Sequence, residues 1–177
     1  MSAMPNLPRQ EMQVSPEGIW AGYSTEPIPL KGYAALVGIY LGGTVALLAA
    51  AKNRSPRRIR TRDIVLLGVA THKLTRIITK DWVTSPLRAP FTKYVRSLGG
   101  GEQSDTSRGS GMQRAVGDLL TCPWCTGPWV ATSLIAGLVF QPRLTRMMTG
   151  MLAAVTISDY LHHAWDYTRA AASERSA

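Results

Sequence analysis

Apolar residues fall into three blocks with polar stretches between them. The first block, "GYAALVGIYLGGTVALLAAA" from Gly32 to Ala51, runs twenty residues without a charge. At about 1.5 Å of rise per residue it reaches roughly 30 Å, the thickness of a bilayer's hydrocarbon core, which predicts a transmembrane helix over 31–51. Small residues recur every fourth position: Ala34, Gly38, Gly42, Ala46 and Ala50. In lipid such a stripe lets another helix approach closely. Gly38 and Gly42 would therefore serve packing within the chain or a homo-oligomer.

The second block is amphipathic. From Asp63 to Trp82, Ile64, Leu67, Leu74, Ile77 and Ile78 share one helical face, while Lys73, Arg76 and Lys80 share another. Thr61 or Asp63 can cap this helix, expected over 63–80. Its polar second half favours an interfacial position or packing against other helices over a crossing. The third block, Leu119 to Phe140, has no charge over twenty-two residues but contains Pro123 and Pro128. A regular helix is expected from Pro128, a favoured first-turn residue. From there it is only about 20 Å long. After a turn at "QPRLTR", a last helix carries Gly150, Ala154 and Ser158 four apart, completing a C-x-x-C turn and helical hairpin over 119–167, with a tail at 168–177.

The intervening stretches read as irregular. Residues 1–30 hold five prolines and no periodicity, which predicts an irregular tail. No basic-then-apolar leader pattern opens it. Pro86 and Pro90 break the segment after Trp82, leaving room for a short helix over 90–98. "GGGEQSDTSRGSG", residues 99–111, has the composition of a flexible loop and lacks the ending of a phosphate loop. Strand signals are weak. The fold class expected is all-α: a helical membrane protein, a small bundle of three to four main helices with a long N-terminal tail and a Gly-rich internal loop.

Charge sharpens this picture. The chain carries net charge +9, yet only 18% of its residues are charged, below the roughly 25% of an average soluble domain. The positive charge is therefore concentrated. Lys52, Arg54, Arg57, Arg58, Arg60 and Arg62 form a block with no acid before Asp63. Beside a membrane helix this is the positive-inside signal. It places the protein in the cell membrane, single-pass or multi-pass, with its N-terminus outside and a basic cytoplasmic segment over 52–118. Three crossing helices would leave the C-terminus inside. Each Lys or Arg near an anionic surface is worth about 1 kcal/mol. The candidate contacts for membrane lipid or an acidic protein partner are Arg57, Arg58, Arg60, Arg62, Lys73, Arg76 and Arg88. No recognition-helix pattern or stacking aromatics accompany them, so nucleic acid is not an expected partner.

The segments "HKLTRIITKDWVTSPLRAPF" and "LLTCPWCTGPWVA", with the Gly-rich spacer between them, resemble a bacterial family catalogued as domain of unknown function 1360. The likeness spans roughly Asp63 to Tyr167. It rests on Thr75 and Arg76, on Asp81 followed by Thr84, Pro86 and Arg88, and on Cys122, Cys125 and Trp129. The resemblance implies a small membrane-associated helical protein; some members are linked to spore-forming bacteria. It implies no activity.

The residues themselves offer limited chemistry. Cys122 and Cys125 could be a redox pair, since first-turn amides favour a thiolate, but no βαβ context is readable around them. They could also supply two zinc ligands, with His162 or His163 on the last helix completing a site; zinc is the only cofactor this would imply. His72 is a further candidate, and Asp159 lies one helical turn before those histidines. The third alternative is structural, two small residues packed under Trp124 and Trp129 at a membrane boundary. Asp81 and Arg88 would pair to hold the proline turn at Pro86, since charges near lipid stabilise one another. No nucleophile elbow, catalytic carboxylate pair or H-E-x-x-H occurs, so an enzyme is not indicated. The function expected is a structural or interaction component; the alternative is a membrane-embedded metal or thiol-redox protein.

Overall fold

A computed structural model describes residues 19–52 and 59–175. Helix α1 spans Leu30–Ala51 and α2 spans Thr61–Thr79. A 3-10 turn, Trp82–Thr84, leads into the one-turn helix α3, Ser85–Arg88, with Pro86 in its first turn. Strands β1, Thr92–Gly99, and β2, Glu102–Ser107, pair antiparallel. Helices α4, Gly111–Thr121, α5, Pro123–Phe140, and α6, Pro142–Arg175, complete the chain.

Four long helices run alternately up and down. Tyr33 donates to Asp118 at 2.6 Å, and Tyr40 meets Thr132 at 3.0 Å, so α1 runs parallel to α5. Lys80 Nζ reaches the Thr121 carbonyl at 2.9 Å, setting the end of α2 beside the start of α5. Arg146 binds Asp63 at 2.9 Å and Lys73 binds Asp159 at 2.9 Å, so α2 and α6 run in the same direction. One end of this array therefore gathers the connections after α1 and α5. The other end gathers the hairpin, α4 and the approach to α1. Helix α6 outruns its neighbours, and residues 161–170 are exposed throughout.

The helices meet through small side chains. Ala70, Ala115 and Ala153 are buried, with Val130 and Leu138 the larger members of the core. Thr75, Thr79, Thr126, Thr145, Thr149 and Thr156 are buried too. Each of these hydroxyls donates to a carbonyl three or four residues earlier, so its polarity is satisfied within its own helix. Gly32 brings α1 against α4: a Cβ there would stand 2.7 Å from that of Ala115. Gly38 and Gly42, by contrast, have nothing within 4 Å, so their stripe takes no part in packing among the described residues. Trp129 instead joins α5 to α1 by stacking on Tyr40 at 5.2 Å.

Several expectations are corrected. The fold is mainly helical but not all-α, because the stretch read as a short helix and a flexible loop is a β-hairpin. Gly99, Gly100 and Gly101 all take positive φ, +83°, +58° and +80°, and so make the tight reversal that composition alone assigns to a linker. Helix α5 starts five residues before Pro128, because Cys122 caps it, its sulfur accepting from the Cys125 amide at 3.2 Å. Residues 142–146 are helix rather than turn, and the expected tail at 168–177 is helical as far as Arg175. The segment 52–118 is not one face: α2 separates the basic connection from the hairpin by roughly 28 Å of helical rise.

Candidate binding groove and its buried arginine

The hairpin end is organised around Arg88, which is 1% exposed. Its Nε donates to Asp105 Oδ2 at 3.0 Å. Its Nη1 donates to the Ile78 carbonyl at 2.9 Å, to the Asp81 carbonyl at 3.1 Å and to the Thr84 hydroxyl. Asp105 also accepts from Gln103 at 2.8 Å. One guanidinium thus ties the end of α2, the 3-10 turn, α3 and β2 together, which its fork of fixed donors suits. Both charged side chains are almost wholly enclosed. Asp118 ties the next layer, accepting from Ser107 and Tyr33 at 2.6 Å each, so that α4, β2 and α1 meet at one carboxylate. Gly117 allows α4 this close to the hairpin, since a Cβ there would strike the Phe91 carbonyl and Ser107.

This frame walls one side of an open groove of about 920 Å³. Helix α2 contributes His72, Lys73 and Arg76. The turn and hairpin contribute Asp81, Trp82, Leu98, the three glycines and Glu102. Helix α6 forms the far wall with Thr156, Asp159, Tyr160, His162, His163 and Asp166. Two ion pairs span it: Arg76 Nε holds Glu102 at 2.8 Å, and Lys73 holds Asp159. A second, apolar cavity of about 290 Å³ lies between α1, α4 and α5, lined by Tyr33, Tyr40, Leu119, Cys125 and Trp129 among others.

The residues singled out from sequence are distributed unevenly over these features. Arg57 and Arg58 lie outside the described residues. Arg60 and Arg62 are exposed at the far end of α2. There Asp63 caps the helix by accepting from the Arg60 amide at 3.2 Å. It also takes both arms of Arg146, whose hydrogen bonds are the main reason its carboxyl is held down at about 2 against an ordinary 3.8. Lys73 and Arg76 face the groove, each already paired. Arg88 is not a lipid or partner contact, because it is buried. Nor does it pair with the Asp81 carboxylate: it takes that residue's carbonyl, and its ionic partner is Asp105. Asp159 pairs across helices with Lys73.

The proposed thiol and imidazole ligands are not brought together. Cys125 lines the apolar cavity, whereas His162 and His163 line the groove. Among the described residues no three His, Cys, Asp or Glu side chains gather in a metal-holding group. The two cysteines are free thiols. Sequence reading passed over Glu102, Asp105 and Asp118. Their signal was faint: they are isolated acids whose partners lie far away in sequence, Arg76 for Glu102, Arg88 for Asp105, and the Tyr33 and Ser107 hydroxyls for Asp118.

Architecture and groove define a class: a small, mainly helical protein with one long apolar helix and a hairpin-capped, charge-paired groove. The chain belongs to the family described as protein of unknown function (DUF1360), which it matches over residues 66–165. It is 32% identical over 93 residues to "Sporulation protein YjcA" of Bacillus subtilis (strain 168), covering 51% of this chain and 79% of that protein. It is 30% identical over 96 residues to "UPF0713 protein YngL" of the same organism, covering 54% of this chain and 72% of that one. No solved structure matches the chain.

Proposed function

We propose that this chain is an integral membrane protein in which α1, α2, α5 and α6 cross the bilayer in alternation. It acts as a structural or interaction component, presenting a basic loop to anionic lipid on the cytoplasmic side and the groove to a partner on the other. The observation that carries this reading is the inside-out distribution of side chains. Val37, Leu41, Val45 and Leu48 of α1, Ile64 and Val65 of α2, and Met147, Met151, Val155 and Ile157 of α6 all point outward and are at least 45% exposed, while alanine, threonine and glycine fill the contacts. In water such a surface would be an aggregation liability. In lipid, large side chains outside and small ones between helices are the normal arrangement.

Three further features support it. Helix α1 is 22 residues long and apolar enough to cross a membrane, with its most apolar window wholly unburied. Lys73, well inside the array, is neutralised by Asp159, as charges at membrane depth require. The connections at one end, residues 52–63 and 141–146, hold eight of the twenty Lys and Arg but only one of the eleven acids. By the positive-inside rule that end is cytoplasmic. Because α2 runs beside the other long helices, an even number of crossings returns α6 to the side from which α1 starts.

No observation favours the metal or thiol alternative, since Cys125 lines the apolar cavity while His162 and His163 line the groove. Extraction of membranes with alkaline carbonate tests the main reading. The protein should stay in the membrane pellet; release into the soluble fraction would overturn the proposal.

A further inference from the structure

The outward side of the β-hairpin is an unusual surface for a water-facing strand. Of the eight residues of β1 only Thr92 is buried. The strand pairs with β2 through Thr92, Lys93, Tyr94, Arg96, Ser97 and Gly99, with register shifts between Tyr94 and Arg96 and between Ser97 and Gly99. The residues left out of the ladder are Val95 and Leu98, the strand's two aliphatic side chains, and they are 54% and 45% exposed. Bulges re-aim side chains, and here both bulges expose apolar ones. Beside them Trp82 stacks on Tyr94 at 5.3 Å, and Val83, in the same turn as Trp82, is 82% exposed. Lys93 and Arg96 stand on the same strand, both exposed and without an ion pair among the described residues.

From this we infer that the hairpin and the adjoining 3-10 turn form a second membrane contact, seated in the headgroup layer of the leaflet opposite the basic loop. Three observations fix lipid as the occupant. Trp82 lies three residues past the end of α2, and Trp124, 89% exposed, lies in the first turn of α5 at the same end of the array. Tryptophans at helix ends form the girdle where a bilayer meets water. The patch mixes aromatic, aliphatic and basic side chains, the composition that binds interfacially, with Lys93 and Arg96 complementing lipid phosphate. A protein partner adding a strand to this edge would meet the two bulges and the lysine, devices that discourage edge pairing. The seated hairpin brings the rim of the groove, formed there by Trp82, Val83 and Leu98, to the lipid surface.

This inference rests on the membrane reading, and one experiment separates the two. The full chain carrying Cys122→Ser, Cys125→Ser and Val83→Cys is labelled with an environment-sensitive fluorophore and reconstituted in vesicles of equal parts phosphatidylcholine and phosphatidylglycerol. Val83 is suited because its side chain fills no internal space. A second protein carries the label at Arg169→Cys, on the projecting end of α6, as the water-facing reference. Vesicle flotation tests the membrane reading alone. In floated protein the label at position 83 should emit to the blue of the reference, be quenched several-fold more by brominated lipid, and be several-fold less accessible to aqueous iodide. Adding Tyr94→Asp and Leu98→Asp should reverse those differences without loss of flotation. Flotation with a label at position 83 as open to iodide as the reference would overturn the hairpin contact and leave the membrane reading standing. Failure to float would overturn both.

Discussion

The two ends of the helical array are built on opposite electrostatic plans. At the loop end, cations crowd around a single acid, Asp63, which accepts from Arg146 and from the Arg60 amide. At the hairpin end nearly as many acids as cations are present, and three ion pairs join separate elements: Lys73 with Asp159, Arg76 with Glu102, Arg88 with Asp105. The loop end therefore has net charge to offer a surface, but little architecture. The hairpin end has architecture, including the groove, and almost no net charge. The difference shows that basicity and site geometry are separate properties in this protein. Most of the excess positive charge behind its pI of about 10.1 lies at the first end.

The sharpest way to break the contrast is to remove Arg88. Arg88→Met leaves Asp105 charged in an enclosed site and frees four acceptors, which should cost about 3–5 kcal/mol. Hydrogen exchange should accelerate over 92–107 while the contact of α2 with the start of α6 stays protected. Combining Arg88→Met with Asp105→Leu should recover much of the loss, since the stranded charge goes with it. A uniform loss of protection over all helices would mean that the two ends do not fold as separate layers.

Next in size is the approach of α1. Gly32→Leu must displace Ala115, and overpacking of this kind costs about 1–3 kcal/mol. Gly38→Leu, six residues further on in open space, should change nothing in detergent. Thermal unfolding of the purified variants makes the comparison. Equal losses at both positions would assign Gly38 a partner.

The loop end has its own signature in acid. Asp63 is depressed from 3.8 to about 2, so the stability it contributes is fully present above about pH 4 and is lost as the pH falls toward 2. Arg146→Ala should weaken the wild-type protein at neutral pH and shrink the difference between the two as the carboxyl protonates. A difference independent of pH over that window would show that Arg146 acts through packing alone. Charge reversal at Arg60 and Arg62 should have a smaller effect on fold than on surface binding. Adhesion to phosphatidylglycerol vesicles should drop and lose its salt dependence, each residue contributing about 1 kcal/mol.

The smallest effect is expected at the thiols. Cys122→Ser keeps a capping atom at the start of α5, so stability should shift by less than about 1 kcal/mol. Elemental analysis of the wild type should find no bound metal. One zinc per chain, lost on the Cys122→Ser substitution, would contradict the capping role.

What could be read in the sequence follows the same division. Helix α1 and the amphipathic α2 declare themselves because their signals are local: an unbroken apolar run and a repeat of 3.6 residues. The motif positions Thr75, Arg76, Asp81, Thr84, Pro86 and Arg88 carried the family likeness. The role of Arg88 was hidden, because its partner Asp105 sits in a segment whose composition is that of a linker. Strand β2, "EQSDTS", has no apolar face to announce it. It is held by hydrogen bonds to the ladder and by Asp105 and Ser107, contacts that depend on residues distant in the chain. The groove was illegible for the same reason, its walls being 72–76, 81–102 and 156–166.

The central claim is that the basic connection and the hairpin lie on opposite sides of one membrane. Single cysteines at Ile59 and at Thr106, both exposed, in a background carrying Cys122→Ser and Cys125→Ser, test it with a membrane-impermeant maleimide applied to intact cells. The account predicts that Thr106→Cys reacts from outside, whereas Ile59→Cys reacts only after the membrane is opened. Labelling of both positions from the same side would contradict it.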